Sequence, residues 1–182
     1  LQSVSAGSIH IGGREVSGRN FSLPPEQRRI GMVFQDHALF PNLTVSENVG
    51  SGLRNMNRHD RQRSVRELLE RMGLELHAAR YPHELSGGQK QRVGLARALA
   101  LNPELIICDE AVSALDVSVQ SQILNLLVQL QKESGMSYLF IAHHLGTVRY
   151  MSDKVGVLYL GSLVEMAPSE SLFSEPLHPC LL

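Results

Sequence analysis

Two short stretches carry residues whose types and spacing could do chemistry. The first is Leu105-Ile106-Ile107-Cys108-Asp109-Glu110, an apolar run that delivers two carboxylates at its end. Open α/β sheets bind ligands beyond the carboxyl ends of their strands, so this is a natural place for acidic side chains with work to do. Phosphoryl transfer to water needs a magnesium ion near the β and γ phosphates and a group that orients the attacking water. Asp109 suits the first role, through a metal-bound water, and Glu110 suits the second. Taken alone, the run fits a strand ending in a solvated turn equally well. The second stretch is Leu85-Ser86-Gly87-Gly88-Gln89, which opens a helix continuing through Gln91-Arg92 into an Ala/Leu-rich segment. Ser86 is a good N-cap, and the two glycines let a ligand approach backbone N–H groups at the positive end of the helix. Such an arrangement binds anions.

The elements that must position these stretches can be read from periodicity and turn signals. Ser8–Val16 reads as a hairpin turning at Gly12-Gly13, and Pro24–Arg29 as a loop. Ile30–Phe34 is an apolar strand that stops at Gln35-Asp36. Residues 42–80 follow a helical pattern, clearest over Asp60–Leu74, where Val65, Leu68, Leu69 and Met72 share a face and Gly73 supplies a stop. The helix opened at Ser86 is expected to run to about Ala100 and end at Asn102-Pro103. Leu105–Cys108 reads as a parallel strand buried on both faces. Asp116–Ser134 is a helix with Ile123, Leu127 and Leu130 inward, broken by Gly135, and Tyr138–Ile141 is the next buried strand. Strand, crossover helix and strand make a right-handed βαβ unit. Val155–Leu160 and Leu163–Met166, split at Gly161-Ser162, read as a closing hairpin.

Composition excludes several classes. The chain has 182 residues, 43% hydrophobic and 19% charged, which belongs to a globular domain and not to a disordered or fibrous one. A net charge of −1 gives no general attraction to nucleic acid or an anionic membrane. No apolar run approaches the roughly 18 residues needed to span a bilayer, and the first residues lack the features of a signal peptide. Cys108 and Cys180 show no metal spacing, and Cys108 reads as a small buried hydrophobe. Seven of the fourteen arginines fall between Arg54 and Arg80, against four acids, which fits either a partner surface or a solvated helix face.

The pentapeptide Leu85–Gln89 followed by Leu105–Glu110 resembles the signature motif and Walker B of the ABC ATPases. Three further segments agree with that family. Phe34-Gln35-Asp36 resembles its Q-loop, which implies that Gln35 senses Mg²⁺ and the attacking water and relays to a transporter partner. Ser113-Ala114-Leu115-Asp116 resembles the D-loop, placing Asp116 at the dimer interface beside nucleotide. Phe140-Ile141-Ala142-His143 resembles the switch loop, with His143 contacting the γ-phosphate. His143 follows Glu110 by 33 residues with one crossover between, which can bring both to one strand-end crevice. The resemblance covers residues 8–166. It implies an α/β fold, a P-loop NTPase-like core with a mainly parallel sheet, an N-terminal antiparallel hairpin and a helical subdomain at about 42–100. Residues 1–182 are then a single partial ABC domain.

The family works as head-to-tail dimers that hold ATP and Mg²⁺ between one subunit's Walker motifs and the other's signature loop. Ser86, Gly87, Gly88 and Gln89 would thus serve the opposite subunit's nucleotide, while Asp109 and Gln35 serve the metal and Glu110, Gln35 and His143 the catalysis. The implied partners are a second ABC ATPase subunit, transmembrane permease subunits and, indirectly, an extracytoplasmic solute-binding protein, with no nucleic acid. The implied place is peripheral, on the cytoplasmic face of the inner membrane. His144 stands where the family usually has Asp, which is expected to weaken a local hydrogen bond, and Ala111-Val112 replaces a commoner Pro-containing run.

The family's Walker A run, GxxxxGK followed by Ser or Thr, is not among these residues, and Lys90, Lys132 and Lys154 follow no glycine run of that kind. The adenine-stacking aromatic expected upstream is missing as well. The chain therefore reads as truncated before or within Walker A, and by itself is expected to bind ATP poorly and hydrolyse it negligibly. An ABC ATPase acting on chromosomes or DNA breaks would carry a long coiled coil between Q-loop and signature. Gln35 to Leu85 spans only 50 residues without sustained heptads. A translation-associated ABC protein would carry two such domains, and a non-catalytic remnant could lend its signature loop to an intact partner. The segment Asp36–Val45 resembles importers for iron, polyamines or other small solutes, whereas Asp109–Gln120 and Pro176–Pro179 resemble oligopeptide, dipeptide or nickel importers, so the cargo is left open.

Overall fold

The computed structural model describes Val4 and residues 6–178. The chain divides into two compact units, one ending at Leu139 and the other beginning at Phe140. In the first unit β1 (Ser8–Ile11) and β2 (Arg14–Gly18) form an antiparallel hairpin, to which β3 (Phe21–Ser22) adds. The hairpin turns at Gly12-Gly13 with φ of 57° and 75°, a left-handed pair that only glycine takes without strain. β4 (Ile30–Val33) then pairs in parallel with β5 (Leu105–Asp109), with Val33 opposite Cys108.

Everything between these two neighbouring strands is helical or turn. It comprises α1 (Val45–Gly50), α2 (Arg58–Met72) and α3 (Gly87–Leu99). Each begins on a side-chain cap: Thr44 and Ser86 in reciprocal capping boxes with Glu47 and Gln89, and Asn57 accepting from the Asp60 N–H. Gly73, at φ 64°, ends α2 as its position in the sequence suggests. The three helices bury Val45, Val49, Leu68, Leu69, Met72, Val93 and Leu95 among themselves. Side chains of this kind contribute about 1.5–3 kcal/mol each when fully buried.

α3 also closes on the sheet. A Cβ on Gly31 of β4 would lie 3.0 Å from the Ala98 carbonyl oxygen and 3.2 Å from the Ala98 side chain, so glycine is what permits the approach. α4 (Val117–Ser134) follows β5, and β6 (Ser137–Ile141) starts within this unit, giving the strand order β4-β5-β6. The Tyr138 hydroxyl donates to the Leu127 carbonyl at 3.1 Å, fastening strand to helix.

The sheet differs in one respect from the sequence reading. Gly31, Val33, Ile106 and Cys108 are buried, but the alternate residues Ile30, Leu105 and Ile107 are half-buried and Met32 and Leu139 exposed. Among the described residues of this unit the helices cover one face of the sheet, not both. The apolar alternates record that the strands are composed for cover on two sides.

The second unit contains α5 (Leu145–Met151), the hairpin of β7 (Lys154–Tyr159) and β8 (Ser162–Pro168), and α6 (Ser169–Ser174). The hairpin turns through Leu160 and Gly161 at φ 48° and 80°. The Ser169 N–H donates to the Asp153 carbonyl at 2.9 Å, and Arg149 lies over the Phe173 ring at 5.8 Å. Glu165 of β8 accepts the Leu177 and His178 N–H groups at 3.2 and 2.9 Å, which fastens the segment after α6 to the hairpin. Cys180 lies outside the described residues.

Candidate functional site

The parallel register places the acidic pair. With Val33 opposite Cys108, the chain leaves β4 and β5 at the same sheet end, so that Gln35 and the Asp109–Glu110 pair both follow strands that finish there. Asp109 is the last residue of β5 and is half-buried. Glu110 has a left-handed backbone, φ 47°, which a residue bearing a Cβ adopts at a cost of about 1–3 kcal/mol. Hydrogen bonds hold it there: the Ser113 N–H and hydroxyl both donate to the Glu110 carbonyl, at 3.1 and 3.0 Å. The Gln120 amide of α4 donates to the Val112 carbonyl at 2.8 Å and ties the turn to the following helix.

Gln35 is exposed at the centre of a turn closed by a 3.2 Å bond from the His37 N–H to the Phe34 carbonyl. The chain continues through two more left-handed residues, His37 at φ 64° and Ala38 at φ 44°. Beyond them, Phe40–Thr44 is irregular, and its polar groups are gathered by the fully buried Asn48 of α1. Asn48 accepts the Phe40 N–H at 2.9 Å and turns its amide toward the carbonyls of Phe40, Leu43 and Thr44 at 3.0–3.1 Å.

The glycine-rich pentapeptide forms a second group of the same unit. Ser86 caps α3: its hydroxyl accepts from the Gln89 N–H at 3.3 Å, and the Gln89 side chain accepts from the Ser86 N–H at 2.9 Å. The Gln89 amide nitrogen also meets His77 Nε2 at 2.9 Å. Gly87 and Gly88 press against the segment entering α4. A Cβ on Gly87 would lie 3.3 Å from Leu115, and one on Gly88 only 2.5 Å from Val119 Cγ1. Asp116 occupies the N-cap position of α4, yet its exposed side chain makes no capping bond. Signature-like glycines and D-loop-like residues thus share one surface.

Family comparison agrees with this arrangement. Residues 1–113 match the sequence model of the ABC transporter family. The chain belongs to that family. It is 48% identical to the oligopeptide transport ATP-binding protein OppF of Bacillus subtilis, over 98% of this chain and 62% of that protein. The Streptococcus pyogenes protein of the same description is 45% identical, over 98% of this chain and 61% of that protein. The chain thus spans about three-fifths of the length of these curated relatives. Among solved structures, the ATP-binding cassette MJ0796, in a dimeric post-hydrolysis state bound to ADP and Pi, matches with a TM-score of 0.77. It is 31% identical, over 92% of this chain and 75% of that one. Clostridium perfringens cbiO1, part of the ABC transporter complex cbiONQ, matches with a TM-score of 0.81 at 30% identity, over 94% of this chain and 69% of that one. The expected ABC ATPase fold, with its parallel pairing, antiparallel hairpin and helices, is what the chain has.

Other sequence expectations sort themselves against this ABC domain. His143 lies two residues beyond β6, in the second unit, and is exposed. His144 does more than the substitution for Asp suggested: its Nδ1 accepts the Thr147 N–H at 3.3 Å and caps α5. The arginine-rich stretch divides. Arg63 pairs with Asp60 and Glu67 on the surface, and Arg71 with Glu133, whereas Arg58, Arg61 and Arg66 line an open groove of about 960 Å³ between α1 and α2. Val65 and Leu69 also line that groove, whose lining includes neither Asp109 nor Glu110. Among the described residues no helix is long and apolar enough to cross a membrane.

Residues to which the motifs assign no role of their own include Asn48, His77, Gln91, Arg97 and Val119. Asn48 alone left a local signal, a polar residue between Val45 and Val49 on the apolar face of α1. The others act through long-range contacts that no local pattern displays.

Proposed function

We propose that this chain is the ATP-hydrolysing part of an ABC importer subunit, with peptides as the class of cargo named in its relatives. The observation that carries the reading is Glu110, held in a strained left-handed conformation by Ser113 directly after the strand that ends in Asp109. Backbone strain that a local hydrogen-bond set maintains is characteristic of functional sites. A carboxylate so placed can accept a proton from water attacking a γ-phosphate.

The donor chemistry at the sheet end fits magnesium, an ion that takes one or two carboxylates and keeps most of its oxygen shell from water and phosphate. Asp109 and the Gln35 amide oxygen are donors of that type. The described residues gather no cluster of three or more His, Cys, Asp or Glu side chains of the kind a protein-caged metal needs. When bound, the ion would neutralise charge on the β and γ phosphates. Gln35 orients water and reports on its presence, and His143 meets the γ-phosphate. Ser86, Gly87, Gly88, Gln89 and Asp116 serve nucleotide held by a second ABC subunit. Residues 42–100 act as the helical subdomain of one partial ABC domain. Its further partners are transmembrane permease subunits and, indirectly through them, an extracytoplasmic solute-binding protein, while the chain itself sits peripherally at the cytoplasmic face of the inner membrane.

These 182 residues contain no GxxxxGK run. By themselves they are proposed to bind ATP weakly and to turn it over negligibly, and the mechanism applies where a P-loop is supplied. The test is Glu110→Gln in the polypeptide that carries a P-loop together with these residues. Turnover should fall by about 10²–10⁴-fold, the range of a lost general base, with ATP binding retained. Wild-type turnover would remove Glu110 from the reaction.

A further inference from the structure

Two side chains of α3 reach back to the turn that presents Gln35. The Arg97 guanidinium donates to the Ala38 carbonyl at 2.6 Å and to the His37 carbonyl at 3.4 Å. It also lies 5.7 Å from the centre of the Phe40 ring. Gln91, fully buried, meets His37 Nδ1 through its side-chain oxygen. His37 and Ala38 are the two residues whose left-handed backbones disfavour a side chain. A charged donor with a planar fork is suited to hold two successive carbonyls in such a conformation. Among the described residues Gln91 makes its one side-chain hydrogen bond at the same place, and its side-chain nitrogen is buried without an acceptor, an arrangement that costs stability. Both side chains stand on the helix that begins at Ser86-Gly87-Gly88.

We propose that Arg97 and Gln91 are positioning residues that tie the Gln35 turn rigidly to the helix bearing the glycine-rich pentapeptide. α3 then moves both as one body. A displacement of the pentapeptide is transmitted along the helix to the His37–Ala38 carbonyls and so to Gln35, two residues away. That consequence for Gln35 rests on the functional reading above, whereas the tie itself does not.

Hydrogen exchange by mass spectrometry on the full chain without nucleotide tests the tie alone. Arg97→Ala should raise exchange of amides in residues 36–43 about tenfold or more, with α2 and β5 unchanged. Adding Ala38→Gly, which removes strain at one of the two positions, should restore part of the protection in that segment. Arg97→Lys, able to reach one carbonyl at a time, should fall between wild type and Arg97→Ala. If Arg97→Ala does not fold, Arg97→Lys decides the matter: exchange equal to wild type overturns the proposal. So does a rise spread evenly over α2, α3 and β5, because that marks general loss of packing and not release of the turn. With a P-loop supplied, failure of Glu110→Gln to reduce turnover would defeat the catalytic reading and leave the exchange result standing.

Discussion

Replacing Gly88 by Ala tests whether the pentapeptide is held by its packing. The new Cβ would lie 2.5 Å from Val119 Cγ1, well inside contact distance. Val119 belongs to α4, and a helical valine is confined to one χ1 rotamer about 90% of the time, so the methyl cannot swing aside cheaply. Overpacking of this kind costs about 1–3 kcal/mol. Gly88 does not have a left-handed φ, so alanine can adopt its backbone, and the less flexible unfolded chain returns about 0.4–1 kcal/mol. Gly88→Ala should therefore destabilise the protein by about 1–2 kcal/mol. In a Val119→Ala background the obstacle is gone and the sign should reverse, to a gain of about 0.4–1 kcal/mol. Urea unfolding of the four proteins, followed by circular dichroism, gives the interaction energy, expected at about 1–3 kcal/mol. Independent sites add to within about 0.5 kcal/mol, and a cycle that closes that well would refute the argument.

Two further predictions concern stability. Ser86→Ala removes the oxygen that accepts the Gln89 N–H and should cost about 1 kcal/mol by urea unfolding, whereas Ser86→Gly should cost only a few tenths. Burial pushes the Cys108 thiol up to about 12 from its ordinary 9.0, so the folded state keeps a proton that the unfolded state gives up first. Folding stability should then fall as pH rises above about 9, by up to about 1.4 kcal/mol per pH unit from this group. Tyr138, raised chiefly by burial, adds a fall of the same sign, so the Cys108 share is read as the difference in slope between wild type and Cys108→Ala over pH 9–10.5. Equal slopes would assign the fall to other groups.

Local signals placed the elements well because their causes are local. Gly12-Gly13 and Gly73 supply left-handed backbones where a hairpin turns and a helix stops, and Gly135, at φ 65°, ends α4 in the same way. Ser86, a good N-cap, announced the start of α3. The tie on the Gln35 turn was not legible, since it joins residues 54–60 apart in sequence. Its strained positions are also His and Ala, not the glycine that would have marked a left-handed backbone. Glu110 was legible as a carboxylate at a strand end, but not as a strained one. Nothing in Asp-Glu-Ala-Val-Ser specifies φ 47°, which arises once Ser113 folds back on the Glu110 carbonyl.

The pentapeptide shows why a motif and its function must be argued residue by residue. Its two glycines looked alike in sequence, both leaving room for a ligand. Gly88 is required by Val119 whatever binds there, so its presence says little about nucleotide. Gly87 is exposed, and its nearest obstruction is the end of the more flexible Leu115 side chain at 3.3 Å. Room left at Gly87 is room that the fold itself does not need. Gln89 has its side chain engaged by the Ser86 N–H and by His77, so a contact with nucleotide would have to exchange one of those bonds. The anion proposed at this helix start is therefore argued most directly from Ser86 and Gly87, whose hydroxyl and backbone N–H stand at the exposed end of α3.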